Sequence, residues 1–337
     1  MSIYLGGGTP SLWRPDCIAA AIAAIRERFG GAALREVTLE ANPVDVHAEN
    51  LAAWRAAGVD RLSIGVQSFS PRELVVLGRD HRFGDGRAAI ERALAAGFAT
   101  SADFILGVPG GVPDGVPGGV PDGVPDGQAG PPAVDLAPDH LSVYELTIED
   151  RTAFGQRVRD GRMVPLPEDA LTELYVAMHD RLTAAGYEHY EISSYARPGR
   201  RAVHNALYWR GAAFLGLGVG AASLELDADG GGRRVTNPRR AADYLADPGA
   251  PAETVACPPA ELAADRAWLG LRTADGLAEA DLAAAPGLAE ALVDGGLAER
   301  RAGRICPTLR GFLMADRIAA RVVETWDARL WGNGHQG

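Results

Sequence analysis

The sequence predicts an α/β fold of parallel strands joined by crossover helices, and three observations point to it. Short apolar pieces alternate with helical stretches from residue 1 to about 145, the pattern of strands that return to one sheet through helices. Several of those stretches end in glycine, the residue that most readily closes a helix. Polar side chains sit at the ends of the apolar pieces, at Glu40, Gln67 and Asp103, where α/β folds place small-molecule sites. Alternation alone leaves two layouts open, a barrel and an open doubly wound sheet.

Strands are expected at Ile3–Leu5, Val37–Leu39, Arg61–Ile64, Phe104–Leu106 and His140–Tyr144, with helices at Asp16–Phe29, Ala48–Ala57 and Gly84–Ala96 between them. The first strand runs straight into Gly6-Gly7-Gly8-Thr9-Pro10. Lacking Cβ atoms, that turn lets a ligand come close to the backbone. It has neither the GxGxxG spacing of dinucleotide folds nor the GK[ST] of phosphate loops, so it points to ligand binding without naming the ligand. From Gly107 to Asp126 the tetrapeptide Gly-Val-Pro-Asp/Gly repeats. The alternation calls for a helix there, but proline at every fourth position forbids one. Residues 107–132 therefore read as a low-complexity mobile surface loop.

Residues 168–186 form the next helix, and Tyr190–Tyr195 leads into a loop containing Arg197, Arg200 and Arg201. His204-Asn205-Ala206-Leu207-Tyr208-Trp209 and a glycine-rich apolar stretch, Phe214–Ala221, follow. Beyond a turn at Gly230–Gly232 the tail from about Cys257 reads as helical, with a β-like piece at Arg304–Pro307. Helices followed by a hairpin suggest a small winged-helix-like module.

Composition limits the function classes. A formal charge of −11 argues against a nucleic-acid partner, because phosphate binding needs a basic surface. All 33 basic residues are arginine, a genomic composition bias more than chemistry. Cys17, Cys257 and Cys306 are far apart and read as reduced, buried thiols of a cytosolic protein. With no leader pattern and no apolar run of about 18 residues, a soluble cytoplasmic protein, not embedded in a membrane, is expected.

Several motifs then follow in order: Gly-Gly-Gly-Thr-Pro-Ser-Leu at 6–12, Glu-Ala-Asn-Pro at 40–43, Leu-Ser-Ile-Gly-Val-Gln-Ser-Phe at 62–69, Leu-Gly-Arg-Asp-His at 77–81 and Asp-Phe-Ile-Leu-Gly-Val-Pro-Gly at 103–110. Together with His140–Tyr144 and Thr147–Glu149 they resemble the radical S-adenosylmethionine family of oxygen-independent coproporphyrinogen III oxidases and their relatives. The resemblance runs from residue 1 nearly to the end. It implies an incomplete radical-SAM-type (β/α) barrel at 1–165, its completion at 166–250 and the winged-helix-like module at 251–337. It also implies that Gly7, Gly8, Thr9, Glu40, Gln67, Arg79 and Asp103 contact S-adenosylmethionine.

Within that family His204-Asn205-x-x-Tyr208-Trp209 is similar to the HNxxYW signature of the heme chaperone branch. That likeness implies a protein that binds heme and delivers it to an acceptor, with His204 as a ligand of the heme iron and Asn205, Tyr208 and Trp209 beside it. Imidazole is a good axial ligand and aromatic rings pack on a porphyrin face. Arg197, Arg200 and Arg201 are candidates to pair with the propionates, although an arginine cluster of this kind is more often a solvated loop. Monomer and homodimer are both compatible with the sequence. The runner-up activity is conversion of coproporphyrinogen III to protoporphyrinogen IX, and a third reading is an inactive remnant.

One departure stands out. Family members hold a [4Fe–4S] cluster with a CxxxCxxC motif on the first barrel loop, and this sequence has no such motif. On spacing, Cys17, Cys257 and Cys306 cannot replace it. The expectation is a start placed downstream of the native one, with a truncated relative as the alternative. As it stands the chain is expected to bind no cluster at that position and to generate no 5′-deoxyadenosyl radical.

Overall fold

The computed structural model describes residues 1–79, 85–109, 132–283 and 285–332, and it divides into two compact units, Met1–His204 and Asn205–Gly337. In the first, β1 (Ser2–Leu5), β2 (Glu36–Ala41), β3 (Arg61–Gln67), β4 (Ala99–Leu106) and β5 (His140–Glu145) lie side by side in chain order, all parallel. The connections carry α1 (Pro15–Phe29), α2 (Ala48–Ala57), α3 (Pro71–Val76) and α4 (Asp85–Ala95). After β5 come α5 (Ala153–Arg159), α6 (Glu168–Ala184), β6 (Glu188–Glu191) and β7 (Ser194–Ala196). The β6–β7 hairpin joins the same sheet, β7 running antiparallel to β5, so the strand order is β1-β2-β3-β4-β5-β7-β6. Among the described residues β1 and β6 are the outer strands.

Period-two alternation sorts the sheet into two faces. Ile3, Val37, Leu39, Leu62, Ile64, Ala102, Phe104, Leu141 and Val143 form one, and they pack on Ile18 and Ile22 of α1, Trp54 of α2, Ile90 of α4, and Met178 and Leu182 of α6. Burial of side chains this large stabilises the unit by about 1.5–3 kcal/mol each, which is why the helices cover this side. The opposite face is polar along its length: Ser2 and Tyr4, Glu36 and Glu40, Arg61 and Ser63, Ser101 and Asp103, His140 and Ser142. Strands buried on both sides by helices would be continuously apolar. This sheet has one polar face instead.

The helix α7 (Val203–Trp209) crosses the boundary between the units. The second unit holds an antiparallel sheet of β8 (Ala222–Leu226), β9 (Gly232–Thr236) and β10 (Glu253–Cys257), with α8 (Ala241–Ala246) between β9 and β10. Then come α9 (Pro259–Gly270), β11 (Leu277–Ala278), α10 (Leu288–Asp294), β12 (Ala298–Arg301), β13 (Arg304–Pro307), α11 (Leu309–Leu313) and α12 (Ala315–Gly332). The last three strands pair antiparallel in the order β11-β13-β12 around a core that includes Leu271, Leu292, Ile305 and Val322.

Two expectations change, and the unit boundary at 204/205 falls inside the expected segment 166–250, whose β6 and β7 hydrogen-bond into the main sheet. The tail is less helical than expected, since β11 and β12 flank the β-like piece at 304–307. Cys17 is exposed while Cys257 and Cys306 are buried. On α1 the spacing of Ile18 and Ile22 turns that face to the sheet and leaves Cys17 outside it. The Gly-Val-Pro repeat lies, apart from its first residues, outside the described residues.

Candidate functional site

The carboxyl ends of β1–β4 bring the predicted cofactor residues to one rim. Tyr4 Oη donates to Glu40 Oε1 at 2.7 Å, and the Gly7 amide donates to Glu40 Oε2 at 3.1 Å. One carboxylate thus ties the end of β2 to the glycine turn after β1. Gly7 and Gly8 take φ of +80° and +82°, left-handed conformations that a side chain would strain, and a Cβ on either would meet no atom within 4 Å. The turn is open to a ligand. Beyond it, Thr9 opens the 3-10 turn Pro10–Leu12, and Ser11 Oγ donates to Asp45 Oδ2 at 2.6 Å, pinning that turn beside β2.

Gln67 ends β3 with φ of +66°, just past a shift in the β3–β4 register between Ile64 and Gln67. Left-handed backbone at a non-glycine residue is uncommon and marks a place where the surroundings impose the conformation. Asp103 on β4 accepts from Ser63 Oγ at 2.8 Å through Oδ2, while its buried Oδ1 has no hydrogen-bond partner. Burial, with some help from Glu40, pushes the Asp103 carboxyl up to about 6 against the pull of the Ser142 and Ser63 hydroxyls. Burial and the adjacent Glu40 carboxylate also raise the Tyr4 phenol well above its ordinary range, so it stays a donor. Arg79 lies exposed after α3, its amide donating to Leu74 O at 2.9 Å; Asp80 and His81 of the same motif lie outside the described residues. An unpartnered acceptor on β4 and an open glycine turn after β1 suit a ligand rich in hydroxyls and ammonium, as S-adenosylmethionine is.

His204 is seated lower on the same polar face. Its ring stacks on Tyr4, with centroids 4.6 Å apart and planes at 20°, and its Nδ1 lies 3.0 Å from Ser2 Oγ. Glu36 holds the start of α7, accepting from the Val203 and His204 amides at 3.0 and 2.9 Å. Glu36 in turn pairs with Arg61 at 2.9 Å, their side chains 5% and 6% exposed, and Arg61 reaches Ser101 Oγ and Arg200 O. Burial lowers the His204 imidazole below its ordinary range, against an opposing pull from Glu36. The ring is neutral near pH 7, the form that binds a metal. Further along α7, Asn205 and Trp209 are partly buried, and Tyr208 packs on Phe214 with centroids 4.6 Å apart.

The arginine loop is engaged within its own unit. Arg200 pairs with Asp139 at 3.3 Å, Arg201 with Glu188 at 3.3 Å, and Arg197 sits 5.1 Å over the Tyr187 ring.

Comparison with known proteins gives the family of the chain. The radical SAM superfamily profile matches residues 2–115. The heme chaperone HemW of Mycobacterium tuberculosis is 37% identical over 323 residues, covering 94% of this chain and 79% of that protein. The chain belongs to the HemW family of radical SAM proteins. HemW of Escherichia coli is 38% identical over 245 residues, 72% of this chain but 61% of its own length, so the HemW-family chain spans less than two thirds of that relative. The solved structure of the E. coli coproporphyrinogen III oxidase HemN, a radical SAM enzyme, superposes with a TM-score of 0.68 at 21% identity, over 95% of this chain and 77% of that one. HemN shares the fold.

Membership of the family implies S-adenosylmethionine and a [4Fe–4S] cluster. The rim residues fit the first, through the open glycine turn and the orphaned Asp103 oxygen. They do not fit the second. The three cysteines lie on α1, β10 and β13, and among the described residues no group of three or more His, Cys, Asp or Glu side chains is placed to hold a metal.

Proposed function

We propose that this HemW-family chain is a heme chaperone that takes heme iron on His204 and passes the heme to an acceptor protein. The observation that carries this reading is the seating of His204. Its ring is held by Tyr4 and Ser2, and its backbone by the Glu36 carboxylate. Hydrogen bonding at one ring nitrogen orients the other toward a metal. The tautomer that donates from Nδ1 to Ser2 carries its lone pair on Nε2. Burial keeps the imidazole neutral, so ligation needs no proton removed at neutral pH. A single histidine suits a carrier, because an acceptor that offers its own ligand can take the iron over.

Supporting this, the curated relatives from M. tuberculosis and E. coli are named heme chaperones. Gly7, Gly8, Thr9, Glu40, Gln67, Arg79 and Asp103 are proposed to hold S-adenosylmethionine, with Glu40 fixing the turn and Asp103 Oδ1 accepting from the ligand. These residues would bind and orient S-adenosylmethionine, with the glycine turn taking its polar end. We place the protein in the cytoplasm, as a monomer or homodimer. Its cysteines are unpaired, and among the described residues no helix is long and apolar enough to cross a membrane.

Titrating hemin into the purified chain is expected to give a Soret band that shifts or disappears in His204→Ala, and apomyoglobin added afterwards should recover the heme. Absence of a Soret band in the parent protein, or an identical band in the variant, would remove His204 from this role.

A further inference from the structure

In the second unit, Leu215-Gly216-Leu217-Gly218-Val219-Gly220 alternates apolar residues with glycine, and the apolar side chains face solvent. Leu215 is 57% exposed, Leu217 62% and Val219 47%. Exposed aliphatics on a slack loop would need no explanation, but this backbone is braced. Phe214 exchanges backbone hydrogen bonds with Leu224 at 3.0 and 2.9 Å, and the Gly216 amide donates to Ser223 Oγ at 2.9 Å. Asn237 Nδ2 donates to both Gly216 O and Gly218 O, at 3.1 and 2.9 Å. The Gly218 amide donates to Tyr244 Oη at 3.0 Å, and the Gly220 amide to Pro238 O at 2.9 Å. A Cβ at position 216 would come within 2.1 Å of Ala222 O, so the ribbon needs glycine there to lie flat on β8. Side chains from three separate places thus hold an apolar ribbon rigid and face up. A contiguous exposed apolar surface held in that way marks a binding site.

The chemistry of the ribbon limits what binds. The exposed aliphatic side chains at 215, 217 and 219 are separated only by glycines, so no larger or polar side chain interrupts the apolar surface they offer to a ring system. At one end Tyr208, itself exposed, packs on Phe214. At the other, the Cγ of Arg239 lies 3.7 Å from where a Gly220 Cβ would stand. Arg239 is exposed, and among the described residues the neighbouring ion pair to Asp243 is made by Arg240. An apolar plane edged by a cation complements a planar apolar ligand that carries carboxylates.

We infer that the 215–220 ribbon docks one face of a tetrapyrrole, with Arg239 receiving a propionate. This rests on the heme-chaperone reading but not on His204, because contact with the porphyrin face needs no iron. Binding of protoporphyrin IX, which has no metal, is therefore the probe, followed by its fluorescence with the full chain.

Leu217→Asp puts a charge under the ring and is expected to weaken binding about tenfold or more. Arg239→Ala is expected to weaken it about fivefold, the size of one exposed charge-assisted contact. Protoporphyrin IX dimethyl ester, whose propionates are neutral, should bind the parent protein as weakly as the free acid binds Arg239→Ala, and should not distinguish the two proteins. Both positions are exposed, so unchanged thermal melting serves as the folding control.

If both variants bind protoporphyrin IX like the parent while hemin still binds through His204, the ribbon is overturned and the chaperone reading stands. Equal loss of acid and ester in Arg239→Ala overturns the propionate contact. A parent chain that binds neither hemin nor protoporphyrin IX overturns both readings. Equal quenching by a planar nucleotide such as FMN would show a ribbon selective for flat anions in general, and would overturn the assignment to tetrapyrroles.

Discussion

Asp103 shows what burying a carboxylate does to a fold. Burial raises it from 3.8 to about 6. Between those values the folded protein keeps a proton that the unfolded chain has released, so stability from this group falls as pH rises through the window and is level above it. The difference is on the order of 3 kcal/mol. Asp103→Asn should therefore stabilise the protein by about 2–3 kcal/mol near pH 7.5 and by almost nothing near pH 3.5. Urea denaturation at the two pH values checks this, and an equal gain at both would show that charge is not the cause. The positions of Glu40 and Gln67 were legible in the sequence because each is polar near the end of an apolar strand, whereas Asp103, expected at the start of its strand, lies inside β4. The roles of Tyr4, Ser2 and Glu36 were not. Their meaning comes from partners on other strands and on α7, as far as 202 residues away in the chain.

At the level of elements, two features set how firmly the histidines are held. The Glu36–Arg61 pair is buried and anchors the start of α7. Removing one member leaves the other charge uncompensated, so Glu36→Ala is expected to cost about 3–5 kcal/mol. Amide exchange should speed up first at Val203 and His204; unchanged protection there would mean α7 is held by something else. The β6–β7 hairpin is the acid-sensitive edge. Burial lowers His140 to about 3, and burial together with His179 lowers His189 to about 4. His140 Nε2 bonds Tyr190 Oη at 2.7 Å, and His189 stacks on Tyr195 with centroids 4.3 Å apart. Both rings are neutral when folded, while the unfolded chain protonates near 6.5. Their contribution is complete above that pH and is lost progressively as pH falls toward 4 and then 3. Exchange in β6 and β7 should accelerate between about pH 6 and pH 4 before that in β2 and β3, and His140→Gln should flatten the profile. The hairpin itself was hard to read. Tyr190–Tyr195 mixes polar and aromatic residues without clean alternation, because its strands meet β5 and α6 at once. The β8–β10 sheet escaped for a related reason: Arg233 and Arg234 on β9 face solvent and ion-pair across to Glu225, Glu261 and Asp265.

Across the whole molecule, the parallel sheet and its covering helices followed from periodicity, whereas the division at 204/205 depends on which strands accept the hairpin. Thiol labelling reports on both units at once. Cys17 should react with a maleimide in the native protein, while Cys257 and Cys306 should react only as the second unit opens. Native labelling of all three would contradict the packing of that unit. The strand order of the first unit has a consequence for synthesis. Each of β2 to β5 pairs with the strand made just before it, so no strand has to wait for a distant partner. The sheet can be laid down in the order in which the ribosome releases it, and the hairpin that follows β5 joins an edge already standing. A nascent chain stalled beyond Glu145 should then already protect β1–β4 from protease, the growing protein sheltering its own apolar face while the rest is still being translated.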